Sequence, residues 1–132
     1  VASGGEISRL MLSLKALIAH AMALPSIVFD EVDTGVSGEI ADKMAGIMRE
    51  MAECMQVISI THLPQVASLG QTHYRVYKSD TETSTATYLI KLSEKERIEE
   101  IARMLSGSSL TAAALDNARE LLKRNDLKDG KK

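Results

Sequence analysis

The feature that most constrains the fold is a short apolar segment, residues 26–31, that ends in two adjacent carboxylates. The residues up to Phe29 are small or hydrophobic, which predicts a strand buried on both faces, as in a parallel sheet. Acidic side chains are almost never fully buried without a partner, so we expect Asp30 and Glu31 to emerge where the strand ends. Ligands of open α/β sheets bind at that end. Mg²⁺ together with a phosphate would explain both charges, whereas the simpler alternative is a polar turn.

A pair of glycines precedes the first helical pattern. The residues before that pattern are Ser3, Gly4, Gly5 and Glu6. The spacing of Ser3 and Glu6 is that of a capping box, which predicts that a helix starts there. Free amide N–H groups at such a start attract phosphate, although a well-capped helix without a ligand is the simpler interpretation. The helical spacing also predicts one buried face, formed by Ile7, Leu10, Met11, Leu14, Leu17, Ile18 and Ala21.

A second apolar segment, residues 56–62, ends in Thr61 and His62. Between the two segments, residues 37–52 carry apolar side chains at helical spacing, and we interpret the methionines among them as core filler. A strand, a helix and a strand in succession form a right-handed parallel unit. If the strands are parallel neighbours, His62 lies at the same sheet edge as the two carboxylates. A lone histidine is otherwise more often structural.

The chain after His62 is predicted to be accessory structure that begins with a β-hairpin. Residues 74–78 and 85–92 are rich in β-branched and aromatic residues, and a polar run joins them. Ser93 and Glu96 form a second capping box, which opens a helix. This helix is expected to end near Gly107 and to expose its charged residues to solvent.

A last helix is predicted between Thr111, as its cap, and Arg124. We expect residues 125–132 to form a frayed polar tail because they have little to bury. The basic excess over residues 123–132 indicates a solvated tail, and a contact with DNA phosphates is the alternative. The side chains of this helix that we expect to face the core are Ala114, Leu115, Ala118, Leu121 and Leu122.

Composition is consistent with one domain and limits the classes of function. A chain of 132 residues with 45% hydrophobic content is long enough for a single core. The single cysteine, Cys54, excludes an internal disulfide and suits a reducing cytoplasm. No segment has the length of a membrane span, so no membrane partner is expected. The net charge of −2 provides no overall basic footprint for nucleic acid.

Together these segments resemble the head of ABC-type ATPases. The matching motifs are the signature motif at residues 3–6, Walker B at 27–31, the D-loop at 32–35 and the switch histidine, His62. Transporter members usually have Gln after the paired glycines and Pro-Thr after the strand, whereas this chain has Glu6 and Val32-Asp33. In these positions the chain resembles the SMC-like branch, and over nearly its whole length, up to about Arg124, it resembles the bacterial members that repair DNA double-strand breaks.

The resemblance implies a role for each residue at the sheet edge. Glu31 would orient or deprotonate the attacking water, and His62 would contact the γ-phosphate. Asp30 would hold Mg²⁺ through a water, so ATP and Mg²⁺ are the implied cofactors. The family also implies a homodimer in which ATP is sandwiched between two heads. In that dimer, the residues that bind nucleotide in trans would be Ser3, Gly4, Gly5 and Glu6, and those at the dimer interface would be Asp33 and Thr34.

One expected motif is absent from the sequence. A P-loop needs G-x-x-x-x-G-K-[ST], but the only Gly-Lys pair, Gly130-Lys131, is followed by Lys132, and Asn125 stands where the first glycine should be. We therefore expect residues 1–124 to be the C-terminal lobe of an α/β ATPase head. Its partner would be an N-terminal lobe of the same protein, which supplies Walker A and a coiled coil.

The predicted function is therefore that of half an ATP-hydrolysing head. The intact protein would act in DNA double-strand-break repair and recombination. It would be cytoplasmic and nucleoid-associated, and the full-length protein would contact DNA. This chain alone would be inactive as an ATPase. The alternatives are a dimerisation module that does not hydrolyse ATP and a fragment of a transporter ATPase.

Overall fold

The structure, a computed structural model, describes residues 4–81, 83–107 and 109–129, and side chains up to residue 126. It is a mixed α/β arrangement with two separate two-stranded sheets, one parallel and one antiparallel. In chain order its elements are α1 (Gly4–Ala21), β1 (Ser26–Asp30), α2 (Gly38–Ala52), β2 (Gln56–Ile60), α3 (Pro64–Ala67), β3 (Tyr74–Asp80), β4 (Thr85–Lys91), α4 (Glu94–Ser106) and α5 (Ala112–Asp129).

The first sheet is a parallel strand–helix–strand unit, as the sequence predicts. β1 pairs with β2 from Ser26 opposite Gln56 to Asp30 opposite Ile60. The crossover helix α2 follows Ser37 as its N-cap and buries one apolar stripe. Its methionines are core residues, which confirms their interpretation as filler. The buried residues of α2 are Ala41, Met44, Ala45, Met48 and Met51.

The prediction that β1 is buried on both faces is wrong. Phe29 is 1% exposed, but its neighbour Val28 is 60% exposed. Side chains alternate between the faces of a strand, and α2 packs on only one of the two faces. Ile58 and Ile60 of β2 share the exposed face with Val28, because each register pair projects to the same side of the sheet. The parallel sheet therefore has one core face and one apolar face open to solvent.

Helix α1 is present where the spacing predicts it, but its buried face was assigned wrongly. Leu12 and Ala19 are each 1% exposed, and they join Gly5 in a narrow stripe in the protein core. α1 contacts α2, and this contact between two helices covers only one narrow stripe of each helix. The face predicted to be buried is instead exposed, and its large members are Ile7, Leu10, Met11, Leu14, Leu17 and Ile18.

The C-terminal part of the chain confirms the predicted hairpin and helices. β3 and β4 pair antiparallel, with Tyr77 opposite Tyr88, and these two rings stack with centroids 5.3 Å apart. The capping box of α4 is formed, since Ser93 accepts from the backbone N–H of Glu96 and donates its own to the Glu96 carboxylate. α4 and α5 pack through a small core of four buried residues, Ile101, Ala102, Ala114 and Ala118.

Up to Asp129 the end of the chain differs from the expected frayed tail, and residues 130–132 lie outside the described part of the chain. Helix α5 continues through Asp129, and Asn125 is only 6% exposed. A buried amide needs hydrogen-bond partners, and Asn125 Nδ2 donates to Ser68 Oγ at 2.8 Å. This contact anchors the helix to the segment after β2. Among the described residues, no helix is both long and apolar enough to cross a membrane.

Candidate functional site

The carboxyl ends of β1 and β2 bring three of the predicted site residues to one sheet edge. Asp30 is the last residue of β1 and lies opposite Ile60, the last residue of β2. The pairing extends one residue further, because the backbone N–H of Glu31 donates to the carbonyl of Ile60 at 2.9 Å. His62 follows two residues after Ile60. The parallel register therefore determines which residues can meet at this edge.

Glu31 and His62 are in direct contact. The Nε2 atom of His62 lies 2.6 Å from Oε1 of Glu31, a distance at which an imidazole N–H donates to a carboxylate. The side chain of His62 is 81% exposed and that of Glu31 is 49% exposed. The pair is thus accessible to a ligand, and the carboxylate is oriented by the imidazole.

The backbone of Glu31 adopts a conformation that side chains rarely take. The φ angle of Glu31 is +48°, in the left-handed region that residues other than glycine rarely adopt. The carbonyl of Glu31 accepts two hydrogen bonds from Thr34, one from the hydroxyl at 2.8 Å and one from the backbone N–H at 3.3 Å. Backbone strain of this kind costs about 1–3 kcal/mol and clusters at functional sites. The turn therefore holds Glu31 away from the line of the strand.

The predicted D-loop is tied to the end of β2 from within the lobe. Asp33 is 3% exposed, and its Oδ2 accepts a hydrogen bond from the hydroxyl of Thr61. The same hydroxyl accepts from the backbone N–H of Leu63 at 2.9 Å. Thr34 is exposed beside this buried contact. Of the two residues predicted for a dimer interface, the structure thus leaves Thr34 on the surface and buries Asp33.

The glycine pair lies at the start of α1, and Ser3 lies outside the described residues. Gly4 is exposed, and a Cβ atom there would meet nothing within 4 Å. Gly5 is buried, and a Cβ there would lie 3.2 Å from Ile40 Cδ1. Glu6 is exposed in the first turn of the helix. Gly5 therefore allows the close approach of α1 to α2, while Gly4 leaves the backbone open to an approaching group.

The residues at the sheet edge fit a Mg²⁺ ion that is held mainly from elsewhere. Over the described part of the chain, no cluster of three or more His, Cys, Asp or Glu side chains could form a complete cage. Asp30 is exposed at the end of β1. Mg²⁺ keeps several waters and takes one or two carboxylates together with substrate phosphates. One exposed carboxylate beside the Glu31–His62 pair is compatible with that chemistry.

The sequence patterns did not predict the contacts that hold the segment after β2, next to the Glu31–His62 pair. Arg97, on the face of α4 predicted to be solvated, donates to two backbone carbonyls of the segment after His62. Asn125, assigned to the tail, binds the same segment. In the sequence, Thr61 is marked only by its place next to His62. An Arg within a charged helix gives no pattern by which its internal contact could be found.

The fold is that of an SMC ATPase head. A solved structure from work on the structural biochemistry of ATP-driven dimerization and DNA-stimulated activation of SMC ATPases matches with a TM-score of 0.64 and 19% sequence identity. The match covers 83% of this chain and 65% of that one. The chain and the solved structure thus share the arrangement of helices and strands described above.

In sequence, the chain is similar to the C-terminal part of proteins named DNA repair protein RecN. It is 47% identical to DNA repair protein RecN of Rickettsia conorii, 44% to that of Vibrio cholerae and 43% to that of Haemophilus influenzae, each over 122 residues. These residues are 92% of this chain and 22% of each relative, so the chain spans about a fifth of their length. No family model matches the chain.

Proposed function

We propose that this chain is the C-terminal lobe of the ATPase head of a protein that acts in DNA double-strand-break repair and recombination. The RecN relatives support the role in DNA repair, and the SMC head fold supports the ATPase class. An N-terminal lobe of the same protein, with the P-loop that this sequence lacks, would complete the nucleotide site. The intact protein would work in the cytoplasm, where its DNA substrate lies.

The observation that supports ATP hydrolysis most directly is the geometry of Glu31. A strained left-handed turn at the carboxyl end of a parallel strand presents its carboxylate to solvent, and His62 holds that carboxylate at 2.6 Å. A residue that merely closes a strand needs neither the strain nor the partner. A general base needs both exposure to the reacting water and a fixed orientation.

The proposed mechanism follows from these positions. Glu31 accepts a proton from the attacking water or orients it in line with the γ-phosphate. His62 donates its imidazole N–H either to Glu31 or to a phosphate oxygen, so the contact it makes depends on whether the γ-phosphate is present. Catalysis of phosphoryl transfer consists largely of such positioning and charge stabilisation.

Asp30 would hold Mg²⁺, and the ion, when bound, would neutralise charge on the phosphates. Because Asp30 lies on the open side of the β1–β2 sheet, its carboxylate can accept hydrogen bonds from the waters that such an ion retains. Asp30 and Glu31 are adjacent but are directed differently by the left-handed turn. One carboxylate can therefore serve the metal while the other serves the water.

The start of α1 would act on nucleotide bound by a second copy of the head. The backbone at Gly4 is open, and the N-terminus of an 18-residue helix offers N–H donors and the positive end of a dipole. The proposed contact with the γ-phosphate would come from Ser3, Gly4, Gly5 and Glu6. In this dimer, the exposed Thr34 of the D-loop would face the partner, while the buried Asp33 would hold the loop in shape.

The test is Glu31→Gln in the intact protein, with ATP affinity, ATP turnover and dimer fraction measured together. We expect hydrolysis to slow by roughly 10²–10⁴, the usual contribution of a general base, with ATP affinity preserved and ATP-bound dimer accumulated. Asp30→Asn should instead weaken Mg²⁺-dependent nucleotide binding. The matched control is Glu120→Gln on the exposed surface of α5, which should leave all three quantities unchanged. Hydrolysis at the wild-type rate in Glu31→Gln would contradict the proposed base.

A second test uses the chain by itself. Without a P-loop it lacks most of the phosphate contacts of a complete site, so we expect neither tight ATP binding nor turnover. Nucleotide titration and a turnover assay on the purified chain measure this directly. Turnover comparable to that of the intact protein would show that the site is complete within these 132 residues.

A further inference from the structure

The segment that follows His62 is gripped by the two C-terminal helices. Arg97 of α4 donates from one guanidinium nitrogen to the carbonyl oxygens of Ser68, at 2.8 Å, and Gly70. Asn125 of α5 donates from Nδ2 to Ser68 Oγ at 2.8 Å. Ser68 is 3% exposed and Asn125 is 6% exposed, so this contact lies inside the protein. Two helices that carry none of the predicted site residues thus hold one short stretch of backbone.

A single helical turn connects that stretch to His62. Leu63, the residue directly after His62, is the N-cap of α3, and its carbonyl accepts from the backbone N–H groups of Val66 and Ala67. At the other end, the N–H of Ser68 donates to the carbonyl of Pro64. Because these hydrogen bonds fix the backbone from Leu63 to Ser68, a displacement of Ser68 is transmitted to Leu63.

The other side of His62 is also fixed. Thr61 donates its hydroxyl to the buried carboxylate of Asp33 and accepts from the N–H of Leu63 at 2.9 Å. The His62 side chain itself is 81% exposed, and its described contact is with Glu31. The position of the imidazole therefore depends on the backbone of His62. That backbone is held on one side by Thr61 and on the other by α3, whose end is bonded to Arg97 and Asn125.

The contacts of Arg97 differ from those of its neighbours on α4. Arg103, further along the same helix, interacts with the carboxylates of Glu99 and Glu100 on its own helix. Arg97 instead donates hydrogen bonds to the neutral backbone carbonyls of Ser68 and Gly70, outside its own helix. Burial lowers the pKa of its guanidinium, although the group stays charged. A surface charge needs no such placement, whereas the two N–H groups of one guanidinium nitrogen can donate to two fixed carbonyls at once.

We propose that Arg97 and Asn125 are positioning residues for His62, and that they act through α3 to hold the imidazole where it meets Glu31 and the γ-phosphate. This inference rests on the proposed ATPase function. It also makes the α4–α5 pair a structural support of the site, so that a displacement of these helices alters the geometry of His62.

The experiment uses the intact protein and the variants Arg97→Met and Asn125→Ala. We expect Arg97→Met to lower kcat for ATP about 10-fold, within the roughly 10²-fold loss that a misplacement of about 1 Å can cause, with KM changed less than about 2-fold. Asn125→Ala should have the same sign and a smaller effect. Arg103→Met is the matched control, because it removes ion pairs from the same helix without touching α3. It should leave kcat within about 2-fold of wild type.

A double-mutant cycle with His62→Ala separates positioning from general destabilisation. If Arg97 acts through His62, then adding Arg97→Met to His62→Ala should lower kcat no further. Arg97→Lys, which keeps the charge but not the planar guanidinium, serves if Arg97→Met does not fold. It should fall between wild type and Arg97→Met. Equal losses of kcat in the presence and absence of His62, or equal losses in Arg97→Met and Arg103→Met, would overturn the proposal.

Deuterium uptake of peptides that span residues 61–70 tests the same contact without any ATPase assay. We expect faster exchange in Arg97→Met and Asn125→Ala than in Arg103→Met, because only the first two release the end of α3. Unchanged exchange would show that Arg97 and Asn125 do not hold the end of α3, even if wild-type turnover is normal. Conversely, if the wild type shows no turnover but the two variants exchange faster, the proposed ATPase function is rejected. The role of Arg97 and Asn125 in holding the end of α3 would still stand.

Discussion

The two faces of the β1–β2 sheet differ in what covers them, although the same two strands form both. On the face toward α2, Phe29 is 1% exposed and joins an eleven-residue core. On the opposite face, Val28, Ile58 and Ile60 are 46–60% exposed. Asp30 shares this open face, because it alternates with Phe29 along the strand.

The contrast teaches that the candidate site stands at the boundary between a finished core and an open apolar surface. An exposed apolar patch next to a polar site commonly marks a surface that binds a partner. In the proposed head, the N-terminal lobe would cover this face and bring its phosphate contacts to Asp30 and Glu31. We expect the two faces to differ in their contribution to stability as strongly as they differ in exposure.

The largest difference is expected between two neighbours on β1. Phe29→Ala should destabilise the chain by about 3–5 kcal/mol, the usual cost of removing a buried aromatic ring from a core. Val28→Ala, its matched control on the open face, should cost about 1 kcal/mol or less, the range of β-propensity effects. Urea denaturation followed by circular dichroism gives both values. Similar losses in the two variants would mean that the open face is covered in solution.

The same comparison applies to α1, with a smaller expected effect. Leu12 is 1% exposed in the narrow stripe against α2, and Leu12→Ala should cost about 2–5 kcal/mol. Leu10 is 60% exposed, and Leu10→Ala should stay within about 0.5 kcal/mol of wild type. Denaturant midpoints measured side by side test this. A larger loss for Leu10 would assign the core to the face that the sequence pattern predicted.

How far the sequence predicts this fold depends on the kind of contact. Helical and strand spacing predicted α1, α2 and the hairpin, because periodicity reflects local geometry. It did not predict which face of α1 is buried, since that depends on the partner helix. Seven apolar residues on one face of α1 indicated burial, yet the packing uses the stripe that contains Gly5 and Leu12.

The candidate site divides in the same way. The meeting of Glu31 with His62 follows from two parallel strands whose ends are aligned, so the sequence could predict it. The contact of Thr61 with Asp33 spans 28 positions and that of Arg97 with Ser68 spans 29. Such contacts arise from the packing of whole elements, and no local pattern marks the residues that make them.

The cap of α4 provides an internal standard that does not depend on either face. Ser93 accepts from the N–H of Glu96, and hydrogen bonds to Ser93 lower the pKa of the Glu96 carboxyl. Ser93→Ala should cost about 1 kcal/mol, the typical value of an N-cap. The loss should be the same in this chain and in the intact protein, and thermal denaturation of both measures it. A difference between them would show that the rest of the protein contacts this end of α4.

The smallest expected effect in the isolated chain is also the most informative about the open face. Val28→Thr keeps the branched shape that suits a strand and adds a hydroxyl. While Val28 faces solvent, the change should alter stability by no more than about 0.5 kcal/mol. In the intact protein, a covering lobe would bury that hydroxyl without a partner and raise the cost to about 1–3 kcal/mol. Denaturation of both forms gives the two values. Equal values would mean that the face stays open to solvent in the intact protein. The difference in exposure between the two faces of the sheet would then belong to the complete protein as well as to the lobe.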